Sequence, residues 1–222
     1  NVQGKVRGLE RAYLRGDGAI VVPGYVKGKG KVFAEHVVLE GIVSPGNSPG
    51  CIDFSGDVTF SSTATLVMEL GGTAPCTEYD QINVANTLTI NNAAFVLTLI
   101  NPYVPKFGDS FDVLNWSSLA GSGFSSIDTS AAVLPYPLQW DLSLLPLTGE
   151  IVVGVQAIAD GDLAPFDNPD GIINAADILI ATQLALDQRT AGALQYAHGD
   201  MNHDGVIDTV DLILIQQIVL QD

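Results

Sequence analysis

Residues 1–50 read as strands, short apolar runs of β period broken by glycine and other turn signals. "AIVV" and "KVFAEHVVLEGIV" have the look of strands, set off by "RGDG" and "PGYVKGKGK". "SPGNSPG", Ser44 to Gly50, is a rigid double turn. Two longer stretches follow, "CIDFSGDVTFSSTATLVMELGG" and "YDQINVANTLTINNAAFVLTLINP". They share an order: a short strand, a small polar turn, then a second strand with alternate residues facing inward. Those residues are Leu66, Met68 and Leu70 in the first stretch and Phe95, Leu97 and Leu99 in the second, an offset of about thirty residues with one residue of slippage. Strand pairs repeating at that period predict the stacked coils of a right-handed parallel β-solenoid, each rung burying its apolar face on the next. A β-sandwich is the alternative, because its strands alternate in the same way.

Residues 116–150 are rich in turn formers ("SSLAGSGFSS", "LPYPLQWDLSLLPLTG"), and Trp116, Tyr136 and Trp140 read there as packing residues that cap or flank the solenoid. "EIVVGVQAIA" is a final strand, and no Pro/Ser/Thr-rich linker follows it. The pattern then changes. Two apolar runs of helical period, "ILIATQLALDQ" and "LILIQQIVLQ", each come directly after an acidic, glycine-bearing loop. The expected organisation is a mainly β body over residues 1–155 and a small α-helical module over 156–222.

The second of those loops carries the chemistry. In "GDMNHDGVIDTVD", with Asp200 at position 1, Asn202 falls at 3, Asp204 at 5, Gly205 at 6, Val206 at 7, Asp208 at 9 and Asp211 at 12. That is the spacing of a twelve-residue calcium loop. Alternate oxygen side chains point inward, a glycine makes the sharp turn, position 7 offers its carbonyl, and a carboxylate closes the shell. Upstream, "NPDGIINAAD" places Asn168, Asp170, Gly171, Asn174 and Asp177 at positions 3, 5, 6, 9 and 12, with the Ile172 carbonyl at 7. Position 1 would be Phe166, which cannot ligate. A lengthened loop with Asp162 (or Asp160) as first ligand is expected instead, which leaves open whether Asn168 is a ligand. Two calcium ions are therefore expected.

Paired loop-then-helix units that each close on aspartate, with no entering helix on the first, resemble the dockerin family over about residues 159–222. The resemblance implies calcium binding and a helix face presented to a cohesin partner. Cellulosomal members often carry a Ser-Thr pair in the loop and a basic pair along the helix. The matching positions here are Ala175-Ala176 and Thr209-Val210, then Thr182-Gln183 and Gln216-Gln217, a departure from that pattern. Over about residues 37–115, the words "GIVSPGNSPG", "GDVTF", "LVMELGG", "YDQINV" and "LTLINPYVPKFGDSFDVL" look like the last rungs of bacterial autotransporter passenger domains. That likeness implies a β-helix and an exported setting, without a chemistry.

Composition adds a compartment and a charge axis. Two cysteines, Cys51 and Cys76, suit one disulfide of an exported protein, with a pair of buried free thiols as the alternative. Calcium loops of this type fill at extracellular concentrations. No apolar run reaches the roughly 18–20 residues that span a bilayer, and the opening at Asn1, without methionine or leader, suggests a mature secreted form or a trimmed one. The net charge of −16 is uneven. Residues 1–31 hold seven of the nine basic residues (Lys5, Arg7, Arg11, Arg15, Lys27, Lys29, Lys31) and net +5, whereas residues 159–222 hold eleven aspartates against Arg189. A basic head and an acidic tail, with an uncapped terminal rung, suggest head-to-tail contact between copies and growth into fibres. The rival is a monomer whose basic end meets a surface polyanion.

Catalytic patterns are weak. "GNSPG" matches the serine nucleophile-elbow spacing at Gly46–Gly50, but prolines bracket Ser48 and a strand follows, where the elbow needs a helix. His36, His198 and His203 sit at no metal spacing, and Asp53 and Asp57 lie around turns. No enzyme activity is expected. The leading expectation is an extracellular structural protein with a calcium-stabilised assembly module, its partner another copy or a cohesin-like protein. The alternative is a carbohydrate-active or carbohydrate-binding surface protein docked to a cohesin scaffold.

Overall fold

A computed structural model describes residues 6–7 and 19–221, in two compact units: residues 1–105, 109–134 and 141–152, and residues 106–108, 135–140 and 153–222. The first unit is built from strands β1 (Val6–Arg7), β2 (Ala19–Val22), β3 (Val26–Gly28), β4 (Gly30–Val32), β5 (His36–Leu39), β6 (Ile42–Pro45), β7 (Cys51–Phe54), β8 (Asp57–Phe60) and β9 (Thr65–Leu70). Two long strands follow, β10 (Gln81–Leu99) and β12 (Leu114–Ala131), with the short β11 (Ser110–Asp112) between them. All the pairings of β1 to β10 and β12 are parallel, which is a solenoid and not the sandwich.

The pairings sort into three stacks that the chain visits in turn. One face is β4, β7, then the starts of β10 and β12. The next is β2, β5, β8 and the middles of β10 and β12. The third is β1, β3, β6, β9 and the ends of β10 and β12. Because β10 and β12 serve all three faces, the ladder nearly closes on itself. Inward positions stack in columns: Val22, Leu39, Phe60 and Ile90 on one face, Val43, Leu66 and Phe95 on another, all buried. Each such side chain contributes roughly 1.5–3 kcal/mol by leaving water. The expected pairing of Leu66, Met68 and Leu70 with Phe95, Leu97 and Leu99 is the observed register, although Leu99 is only half-buried.

Two details differ from the sequence reading. The coil is shorter at its start: Val26 pairs with Val43 and Val43 with Leu66, before Leu66 pairs with Phe95 and Phe95 with Ile127. Residues 118–130, read as turns, belong to strand β12. Serine and glycine have little preference for strands, but the β10 edge supplies a ready ladder for them. Corners are tight: a Cβ on Gly41 would lie 1.9 Å from the Gly24 carbonyl oxygen, so only glycine fits. Cys51 and Cys76 form the disulfide, tying the 71–80 excursion to β7. Ser48 lies between strands β6 and β7 with no helix after it, so "GNSPG" is a connection between strands and not a nucleophile elbow. Of the basic head, Lys5, Arg11 and Arg15 lie outside the described residues. β11 pairs antiparallel with the start of β14 (Glu150–Val155); β13 is Leu138–Asp141.

Candidate metal centre

The second unit carries three helices, α1 (Ala175–Ala185), α2 (Ala193–Gly199) and α3 (Thr209–Val219). α1 and α3 start for the same local reason. Asn174 and Asp208 are extended N-caps, with Oδ1 accepting from Ala176 and Val210 N–H at 2.8 and 2.7 Å. Three residues on, Asp177 and Asp211 reach back to the N-cap amides, completing a capping box in each. The two helices pack on one another around Leu163, Ala181, Leu184, Ile207 and Ile215. α2 is an entering helix for the second loop that the sequence pattern did not announce. Its seven residues include only one full helical turn of apolar spacing.

The second loop is wound around its own carboxylates. Asp200 accepts from the Asp204 and Gly205 amides at 3.1 and 3.0 Å, and Asp204 from Val206 at 3.0 Å. Asn202 accepts from the Asp204 amide and donates to the Asp204 carboxylate. At the close, Asp211 Oδ1 accepts from Met201 and Asn202 N–H and Oδ2 from Asp208 N–H. Gly205 makes the turn at φ +84.

The first loop repeats the bonds made by the first aspartate to the glycine amide, by position 5 and by the closing aspartate, which fixes its register. Those of Asn202 and of the Asp204 amide have no counterpart. Asp177 Oδ1 accepts from Leu163 and Ala164, the two residues after Asp162, as Asp211 Oδ1 does from the two after Asp200. Asp162 Oδ2 accepts from Gly171 N–H at 2.5 Å, as Asp200 does from Gly205. Asp170 accepts from Ile172 at 2.9 Å and Gly171 turns at φ +80. Asp162 therefore stands where Asp200 stands, with four extra residues in the loop. Asp160 is drawn elsewhere: its Oδ1 lies 2.7 Å from His198 Nδ1 on α2. The insertion makes its own contacts, the Phe166 carbonyl accepting from Gln195 and its ring lying under Arg189 at 4.2 Å. Asn168 is exposed and held through its amide to the Pro165 carbonyl.

Electrostatics decide what the loops can hold. Asp162 is 3% exposed and its Oδ1 has no hydrogen-bond partner, while Asp177 and Asp211 are fully buried. Asp160 pairs with His198, and the hydrogen bonds to Asp162, Asp177 and Asp211 come from backbone N–H groups rather than from a side-chain cation. Buried unpaired charge is costly, and a bound cation removes that cost. Among the described residues no three His, Cys, Asp or Glu side chains gather into a metal cluster, and each loop also offers Asn and main-chain oxygens. An all-oxygen donor set of flexible loops suits a hard divalent cation. Asp200, Asn202, Asp204, the Val206 carbonyl, Asp208 and Asp211 would hold it in one loop. Asp162, Asp170, the Ile172 carbonyl, Asn174 and Asp177 would hold it in the other.

Residues 167–220, about a quarter of the chain, match the family model of the dockerin type I domain. The C-terminal module is dockerin-like. No curated protein and no solved structure matches the chain. Dockerin type I domains bind calcium and serve protein–protein assembly, which is the chemistry that the loop register and the orphaned Asp162 oxygen fit. The module also shows a feature that the sequence reading passed over. Apolar side chains recur in the open at a spacing of 34 residues: Ile172 and Val206, Leu179 and Ile213, Leu186 and Leu220. Leu179 is 57% exposed and Ile213 52%, each on the outer side of its helix. The signal was present in the two helical runs, which superpose at that spacing.

Proposed function

We propose that this chain is a non-catalytic extracellular assembly protein, in which the dockerin-like module holds two calcium ions and docks the solenoid onto a cohesin-like partner. The observation that carries this reading is the duplicated exposed apolar stripe on α1 and α3, just beyond the calcium loops. Exposed aliphatic side chains in a repeated row are what a partner surface covers. The recognition positions Ala175-Ala176, Thr209-Val210, Thr182-Gln183 and Gln216-Gln217 are all uncharged, so the favoured cohesin has an apolar centre to its face. The disulfide supports an oxidising compartment. The turn carboxylates support a non-catalytic body, since each is held in the coil: Asp53 accepts from Asn83 and Asp57 from the Thr87 amide. Head-to-tail fibre growth depends on the basic N-terminal stretch, part of which lies outside the described residues, and is not part of this reading.

Surface plasmon resonance over a panel of immobilised cohesins tests it. Binding to at least one cohesin in millimolar calcium, abolished by EGTA and weakened about tenfold or more in Leu179→Asp/Ile213→Asp, is the expected result. A folded, calcium-loaded chain that binds none of the panel, or a double variant that binds as the parent does, would overturn it.

A further inference from the structure

The solenoid carries a groove that neither the calcium module nor its partner surface uses. Its volume is about 610 Å³, within the range of ligand sites, and it is lined by residues 31–33, 53–55, 83–85 and 115–117 from four successive coils. At about 4.8 Å per rung, that is a track of roughly 14 Å along the solenoid axis. Along it runs a ladder of polar side chains in register: Lys31 beside Asp53, Asp53 beside Asn83, Asn83 beside Asn115. Asn115 Nδ2 donates to Asn83 Oδ1 at 2.9 Å, and Asn83 Nδ2 donates to Asp53 Oδ1 at 2.8 Å. Asn83 spends one donor and one acceptor within the ladder, and Asn115 spends one donor there and bonds the Asp112 carboxylate as well. An amide has two N–H groups and a carbonyl with two lone pairs, so each keeps hydrogen-bonding capacity for a ligand. The ladder's bonds fix those remaining groups in a line, so little entropy is lost when they are used. Apolar surface completes the groove: Phe33 is 40% exposed and Trp116 is half-buried.

Charge narrows the ligand. One ammonium and one carboxylate stand side by side in the ladder, which favours neither a polyanion nor a polycation. A row of amide and carboxylate groups beside aromatic rings matches a ligand with many hydroxyls and apolar C–H faces. We propose that this groove binds a neutral polysaccharide chain lying along the coils. Hydroxyls pair with Asn83, Asn115 and Asp53, and sugar faces pack against Phe33 and Trp116. The binding is independent of calcium and of the dockerin-like module.

Affinity electrophoresis of the full chain through gels containing xylan, glucomannan or mixed-linkage β-glucan tests this, with polygalacturonate as acidic control and each gel run with calcium and with EGTA. The expected result is retardation by at least one neutral polysaccharide, equal in calcium and EGTA, with Kd raised about tenfold or more in Phe33→Ala and in Trp116→Ala. Asn83→Ala is expected to weaken binding as well; should it fail to fold, the surface variant Phe33→Ala decides. No retardation by any neutral polysaccharide, retardation by polygalacturonate alone, or equal retardation of Phe33→Ala, Trp116→Ala and the parent would each overturn the proposal.

Discussion

Asp80 is the carboxylate whose charge the solenoid resists most plainly. It is fully buried at the foot of β10, its oxygens accepting from Gly50 N–H at 2.7 Å and Glu69 N–H at 3.0 Å. Burial outweighs those two bonds and the nearby Lys27, and the neighbouring Glu69 adds repulsion, so the carboxyl is pushed up from 3.8 to about 7. An acid whose folded pKa is raised favours the folded state while protonated. Between pH 3.8 and about 7 the folded chain holds a proton that the unfolded chain has released, so stability falls as pH rises and levels off above 7. The slope is about 1.4 kcal/mol per pH unit, and the full span of about three units amounts to about 4 kcal/mol. Asp80→Asn removes the titration while keeping the size. Urea unfolding followed by far-UV circular dichroism, in EGTA so that calcium binding does not enter, gives stabilities for parent and variant from pH 4 to 8. Groups common to both cancel in the difference. The parent's advantage over Asp80→Asn should shrink steadily, by about 4 kcal/mol, from pH 4 to 8. Curves that run parallel, or an advantage that grows with pH, would refute the assignment.

Three further outcomes follow from the same structure. Cys51→Ser/Cys76→Ser should lower solenoid stability by about 3 kcal/mol by opening a 25-residue loop in the unfolded chain, read as a shift of the urea midpoint. Phe95→Ala, at a fully buried site whose ring meets Phe124 edge-on at 5.2 Å, should cost about 3–5 kcal/mol in the same assay. Gly41→Ala, with its new methyl 1.9 Å from the Gly24 carbonyl oxygen, should cost about 1–3 kcal/mol or more, and a neutral effect would mean the corner is looser than described.

The parts of the fold legible in the sequence were those where one local rule acted alone. Leu66, Met68 and Leu70 against Phe95, Leu97 and Leu99 could be paired on paper because strict alternation marks the inward face and only one residue of slippage separates the two stretches. The first coils could not be, since their three- and four-residue strands are too short to show a period and their offsets differ. β12 was hidden because Ser and Gly dominate it, and its strand state comes from the β10 ladder. In the module, positions 5 to 12 of both loops were legible from glycine and alternate oxygens. At the head of the upstream loop Asp162 was expected, with Asp160 as the alternative; the contact that draws Asp160 to His198, 38 residues away, was not legible. The stripe of Leu179 and Ile213 was written in the repeat, but apolar residues on a helix read first as core.

Calcium titration of the intact chain by isothermal calorimetry tests the central claim most directly. The account expects two ions per chain in the parent. It expects one in Asp162→Ala, which removes the buried carboxylate with an unpartnered oxygen, and one in Asp211→Ala. The double variant should bind none, with loss of helical signal and an intact β signal. A parent that binds no calcium, or a double variant that still binds two ions, would contradict it.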